Sequence, residues 1–201
     1  MDHLGASPWG AIALVSYIPD PLRSVLVDLQ QSLASSCNPQ PHITVLPPRP
    51  LQQSMEIASQ TIQSKLDDFS AFAVELSQVR RFPETNFLYL NIAGGSQSIH
   101  ELHNALNTGE LAHVERFEFR PHLTLGGPFE ADNLPSVQRR AEERWRVNGC
   151  SSRVWVDEIT CLWLTPGDVR RGWSILWSHR LGSGRVLRQN GASVAAASRT
   201  Y

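Results

Sequence analysis

Residues 42–45 read HITV and residues 122–125 read HLTL, each directly behind a proline and 80 positions apart. Both tetrapeptides place a histidine and a threonine at the first and third positions, with aliphatic residues between and after. In a strand, successive side chains point to opposite faces, so residues i and i+2 share a face about 6.6 Å apart. His42 and Thr44 therefore share one face and Ile43 and Val45 the other, and His122 and Thr124 oppose Leu123 and Leu125 in the same way. The aliphatic face must be buried. The polar face must meet water, a ligand or a hydrogen-bond partner, because an unpaired buried polar group is costly. A chain built around two such strands needs helices behind them and an open space in front.

The surrounding order of elements repeats as well. WGAIALVSYI (9–18) reads as a buried strand. Asp20 and Pro21 read as N-cap and first helical residue, and Leu22, Val25, Leu26, Leu29 and Leu33 follow at helical spacing. HITVL (42–46), β-branched and bounded by prolines, is a strand. A helix with Leu51, Met55, Ala58, Ile62, Leu66 and Phe69 on one face follows, then strands near 71–79 and 87–93 around the turn FPETN. After the break GGSQ (94–97) the order resumes. A helix carries Ile99, Leu102 and Leu106, HLTL is a strand, and a helix carries Leu134, Val137, Ala141 and Trp145. Strands near 153–164 and 172–181 flank TPGD. The chain reads as one bilobal domain over 1–181, with sequence repeats at about 9–93 and 96–181. The segment 182–201, rich in Gly, Ser and Ala with Arg185, Arg188 and Arg199 and no acidic residue, reads as a disordered tail.

Composition narrows the partners. The 201 residues are 41% hydrophobic with a formal net charge of −1. That size supports one substantial core or two small lobes. The balance argues against a dedicated duplex-DNA binder, which needs a basic excess. No stretch approaches the roughly 18 apolar residues of a membrane span, and the N-terminus carries no basic region followed by an apolar run. Cys37, Cys150 and Cys161 are odd in number, widely spaced and without a CxxC pair. They read as reduced thiols in a cytoplasmic protein; a monomer is expected, though the cysteines do not bear on it.

Two imidazoles, each beside a hydroxyl, suit phosphodiester chemistry if duplication brings the two polar faces together across a cleft. A neutral histidine takes a proton from the nucleophile, while a protonated one gives a proton to the leaving oxygen. Imidazole occupies both states near neutral pH because its ordinary pKa is near 6.5. The hydroxyls donate to non-bridging phosphate oxygens and stabilise charge in the transition state. With 7 His and 8 Thr, about 0.3 His-x-Thr triplets are expected by chance, so two copies at equivalent points of a repeat favour function over coincidence.

The two motifs resemble those of the two-histidine (2H) phosphoesterases, which include 2′,5′-RNA-ligase-like proteins and cyclic nucleotide phosphodiesterases. That resemblance covers residues 9–181 in element order and is specific at HITV and HLTL, which match without departure. It implies an α+β fold: two pseudo-symmetric lobes of antiparallel strands with outer helices around a central cleft. It also implies metal- and cofactor-free hydrolysis of 2′,3′-cyclic phosphates of nucleotides or RNA ends, or the opening or forming of 2′,5′ linkages. By the same resemblance His42 and His122 are the acid/base pair, and Thr44 and Thr124 the phosphate clamps. Capture of nucleotides or RNA ends without turnover, and a metal-dependent hydrolase, are the rival readings.

Further candidates come from residue type and position. Arg49, Arg80, Arg81 and Arg120 lie near the motif strands. By strand alternation Arg120 faces the same way as His122. Phe82, Phe129, Tyr17 and Tyr89 are candidate stacking platforms for a base or ribose. His100 and His103, three apart on a helix with His113 near, read as a solvated face rather than a zinc site. GGPF after the second motif reads as a turn. The six tryptophans read as core beneath the strands of the second half.

Overall fold

The computed structural model describes residues 7–33, 40–166 and 172–182. Cys37, part of TPGD and the segment 183–201 lie outside the described residues. The described elements run β1 (Ala11–Tyr17), α1 (Leu22–Leu33), β2 (His42–Pro50), α2 (Met55–Leu66), β3 (Phe72–Arg81), β4 (Leu88–Gly94), α3 (Ser96–Leu106), β5 (His122–Gly126), α4 (Leu134–Arg146), β6 (Arg153–Val156), β7 (Glu158–Leu164) and β8 (Ser174–Arg180). A short 3-10 turn at Gly109–Leu111 lies between α3 and β5. The fold is α+β, as expected.

All eight strands join one curled antiparallel sheet in the order β6-β3-β4-β5-β2-β1-β7-β8. The two motif strands are central and adjacent. On one side β5 leads to β4, β3 and β6, and on the other β2 leads to β1, β7 and β8. β4 stands beside β5 as β1 stands beside β2. The strands after α4 cross over to the first repeat: β6 joins β3, and β7 joins β1. The helices cross as well, since α1 from the first half packs behind β5 and α3 from the second packs behind β2.

Position in the sheet explains the local sequences. β1 shows no polar alternation because it is covered on both faces. Ile12 and Leu14 join the main core, while Ala13 and Val15 form a smaller cluster with Leu162, Tyr17 and Trp173. Asp20 Oδ1 accepts the Ser24 amide at 3.2 Å, which ties down the start of α1. Ser54 caps α2, with extended backbone and its hydroxyl accepting from the Ile57 amide. Gly95 at the start of α3 has φ +75°, and a Cβ there would stand 2.2 Å from Ala73 O, so only glycine fits.

Three expectations are corrected. The strand at 42–46 continues through three prolines to Pro50, because β1 pairs with that stretch (Ala11 with Pro50, Ile12 with Arg49). The strand expected over 153–164 is two strands broken at Asp157: β6 pairs with β3 and β7 with β1 and β8, at opposite ends of the sheet order. Local pattern cannot show that partners change. The tryptophans are not uniformly core. Trp145, Trp163 and Trp177 pack against it, but Trp9 and Trp155 are about half exposed, at 46% and 55%. Trp177 also donates its Nε1–H to Ser59 Oγ at 3.0 Å and so fastens β8 to α2.

Candidate active site

β2 and β5 meet in register at Ile43 opposite Leu123. Both side chains are fully buried on the helix side of the sheet, along with Val45 and Leu125. Alternation then turns His42, Thr44, His122 and Thr124 to the other face, where all four are partly exposed. Antiparallel pairing sets His42 across from Thr124 and Thr44 across from His122. The two histidines are thus diagonal neighbours, a relation that spans about 7–8 Å.

The pairing does not continue past this point on the β2 side. Pro47, Pro48 and Pro50 have no N–H to offer a ladder, so the second half of β2 cannot be zipped to the segment that leads into β5. A cleft of about 670 Å³ occupies this side, lined by Thr44, His122, Phe82, the prolines and the segment 113–120. The polyproline stretch that limited the strand expectation is therefore one wall of the cleft.

Each histidine is oriented the same way. His42 donates its Nδ1–H to Gln40 O at 2.7 Å and His122 donates to Arg120 O at 2.6 Å, in both cases the carbonyl two residues upstream. In the neutral ring this leaves the lone pair at Nε2. Burial holds both imidazoles below the ordinary histidine value, and the backbone hydrogen bonds oppose this less strongly. The charges of His42 and Arg120 lower His122 further. His122 therefore feels the protonation state of His42.

Aromatic rings frame the pair. Tyr17 meets His42 edge-on at 6.0 Å. Phe82 and Tyr89 stack at 4.0 Å, and both present themselves edge-on to His122, at 4.8 and 5.4 Å. Arg120 lines the cleft, with its guanidinium over Phe82 and donating to Tyr89 Oη at 3.4 Å. Tyr17 borders a separate hollow of about 270 Å³ with Asp157, Glu158 and Arg180. Phe129 does not line the cleft. Its ring packs against the core beside Gly126, because the chain turns away from the sheet at GGPF.

Arg49 is no cleft cation. It is 2% exposed and donates to Pro47 O, Asn107 Oδ1, Leu111 O and Glu115 Oε1. The Glu115 ion pair at 2.6 Å fastens the end of β2 to the segment that walls the cleft. Arg80 and Arg81 are exposed at the end of β3, where Arg80 binds Gln78. His103 corrects the expectation of a solvated face. It is 5% exposed, donates to Val45 O at 2.9 Å and stacks on Phe119 at 3.7 Å. The helical spacing was visible, but a distant segment supplies the cover. Among the described residues, no three His, Cys, Asp or Glu side chains gather as a metal-holding group.

The family model described as the 2′-5′ RNA ligase superfamily matches residues 19–168, a span that holds both motifs. The chain belongs to that superfamily. A curated protein of Halalkalibacterium halodurans, named "Putative phosphoesterase BH1439", is 30% identical over 151 residues, covering 71% of this chain and 84% of its own. Kluyveromyces marxianus Usb1 matches the fold at TM-score 0.58 and 11% identity, over 88% of this chain and all of that one. E. coli LigT in complex with NADP+ matches at TM-score 0.58 and 17% identity, over 85% and 96%. These two likenesses are of fold. Superfamily membership supports phosphodiesterase-type chemistry at a two-histidine site.

Residue-by-residue reading missed most of the cleft wall. Arg116, Phe117, Glu118 and Phe119 line it together with Arg120. Their signal was present in the alternation of charged and aromatic residues in ERFEFR (115–120), just ahead of the second motif.

Proposed function

We propose that the protein is a metal-independent phosphodiesterase that hydrolyses 2′,3′-cyclic phosphates of nucleotides or RNA ends. The observation that carries this reading is the Ile43–Leu123 register. It turns both histidines and both threonines to one face, with each histidine opposite a threonine. A phosphate seated between the strands meets an imidazole on either side and a hydroxyl beside each. Thr44 and Thr124 donate to its non-bridging oxygens. The nucleoside fits the cleft on the His122 side, where Phe82, Phe117 and Arg120 offer ring faces and a cation. On that placement His122 protonates the departing ribose oxygen, and His42 takes the proton of the attacking water.

Solved proteins of this fold support a nucleotide-sized ligand. One LigT structure holds 3′-AMP, and one Usb1 structure holds uridine monophosphate. Cleavage or ligation of 2′,5′ linkages is the second reading. It is favoured by a cleft that continues past the phosphate site to Pro50.

A product-resolved assay tests both. The protein is incubated, in excess chelator, with the four 2′,3′-cyclic mononucleotides, an RNA with a 2′,3′-cyclic end and a 2′,5′-linked dinucleotide. Chelator-resistant opening of a cyclic phosphate is the expected result. Binding of nucleotides with no product from any substrate would replace the enzyme by a binding module.

A further inference from the structure

We infer that Gln30 and His103 are positioning residues that set the spacing of the two motif strands, each reaching across from the opposite half of the chain. This rests on the reading of the site given above. Gln30, near the end of α1, donates its Nε2–H to Thr124 O at 2.8 Å in β5. His103, near the end of α3, donates its Nδ1–H to Val45 O at 2.9 Å in β2. Both side chains are buried, at 9% and 5% exposure. Each bond lands inside a motif, on the carbonyl of the threonine in one case and of the residue after it in the other.

The sheet explains why such bonds matter. Where β2 and β5 part, the ladder alone does not fix their mutual angle, and the gap between them sets how far apart the imidazoles stand. A side chain from behind that grips a motif carbonyl resists that opening. Gln30 Oε1 is buried with no hydrogen-bond partner within the protein. An orphan acceptor of this kind costs stability. An apolar residue would avoid that cost, but it would release Thr124 O. Misplacement of reacting groups by about 1 Å can cost two orders of magnitude in rate.

Two variants test the inference. Gln30→Met removes the donor and the orphan acceptor at near-constant volume. His103→Phe keeps the stack on Phe119 but removes the donor to Val45 O. Each should lower kcat on the preferred cyclic phosphate about tenfold or more, with KM changed less than about threefold. His103→Gln, which can still donate to Val45 O, should recover most of kcat. Histidine titration followed by NMR provides a second reading that needs no turnover. His122 feels the charge of His42, so a wider gap should weaken the coupling and raise the His122 midpoint in Gln30→Met and His103→Phe. If both variants leave kcat within about twofold and the His122 midpoint in place, the inference is wrong. It is equally wrong if kcat falls only in proportion to lost folded protein with the titration unmoved. A wild-type protein that opens no cyclic phosphate would sink the proposed function alone, because the titration would still report on the spacing.

Discussion

Ile43 of β2 stands opposite Leu123 of β5, both completely buried, in the pairing that joins the two halves of the sheet. A one-residue slip would turn every motif side chain to the wrong face, putting histidine into the core and isoleucine into the cleft. The apolar residues between the polar ones therefore define the site as much as the polar ones do. Several measurable consequences follow from this arrangement and from the groups around it.

Replacing either motif histidine by alanine should lower kcat/KM by about 10²–10⁴, the range general acid–base catalysis contributes. Circular dichroism and the melting temperature should stay near wild type, because both rings face the open side of the sheet. Near-normal turnover by His42→Ala on every cyclic substrate would remove that residue from the mechanism.

The two histidines should be separable by leaving group. Sulfur in place of the departing ribose oxygen leaves readily without a proton. On such a cyclic substrate His122→Ala should regain most of its lost rate and His42→Ala should not. The opposite pattern would exchange the acid and base roles.

The rate should be bell-shaped in pH, with the singly protonated pair as the active form. Both imidazoles are held below the ordinary value by burial, and His122 also by the charge of His42. The optimum of kcat/KM, which reports the free enzyme, should therefore lie on the acid side of about 6.5. A bound phosphate anion favours the protonated rings, so the kcat profile should be displaced to higher pH. An optimum of kcat/KM at pH 8 or above would contradict the titration order.

Stability should also depend on pH, with a definite sign. His42, His103 and His122 are all lowered, chiefly by burial. The unfolded chain then binds protons that the folded chain does not, so stability falls as pH drops through about 6.5 toward the folded values. It levels once the folded rings are charged as well. Urea midpoints measured between pH 8 and 5 should show the decline, and the His42→Ala/His122→Ala double variant should show a shallower one.

Arg49→Met should destabilise by about 3–5 kcal/mol in chemical denaturation, because it strands Glu115 beside buried carbonyls that have lost their donor. Adding Glu115→Leu should restore much of that loss. If the wall is anchored as described, both variants should also raise KM for nucleotides more than they lower kcat. An unchanged KM would separate the anchor from substrate binding.

The motif spacing, the strand character of both tetrapeptides, the face their polar residues share and the order of helices and strands are all legible along the chain. They depend on alternation and helical period, which are properties of neighbouring residues. Arg120 facing with His122 follows from the same rule. What residues 153–164 pair with, whether Phe129 reaches the cleft, and why Arg49 and His103 are buried depend on contacts between segments tens of residues apart. Such contacts leave no local trace: a guanidinium five residues past a threonine looks like a phosphate ligand until Asn107, Leu111 and Glu115 close around it. The decisive case is the exchange of helices between halves. Gln30 and Thr124 are 94 positions apart, and nothing in either stretch names the other. Only the packed sheet, in which each motif strand must find an apolar cover and a partner for its carbonyls, brings them together.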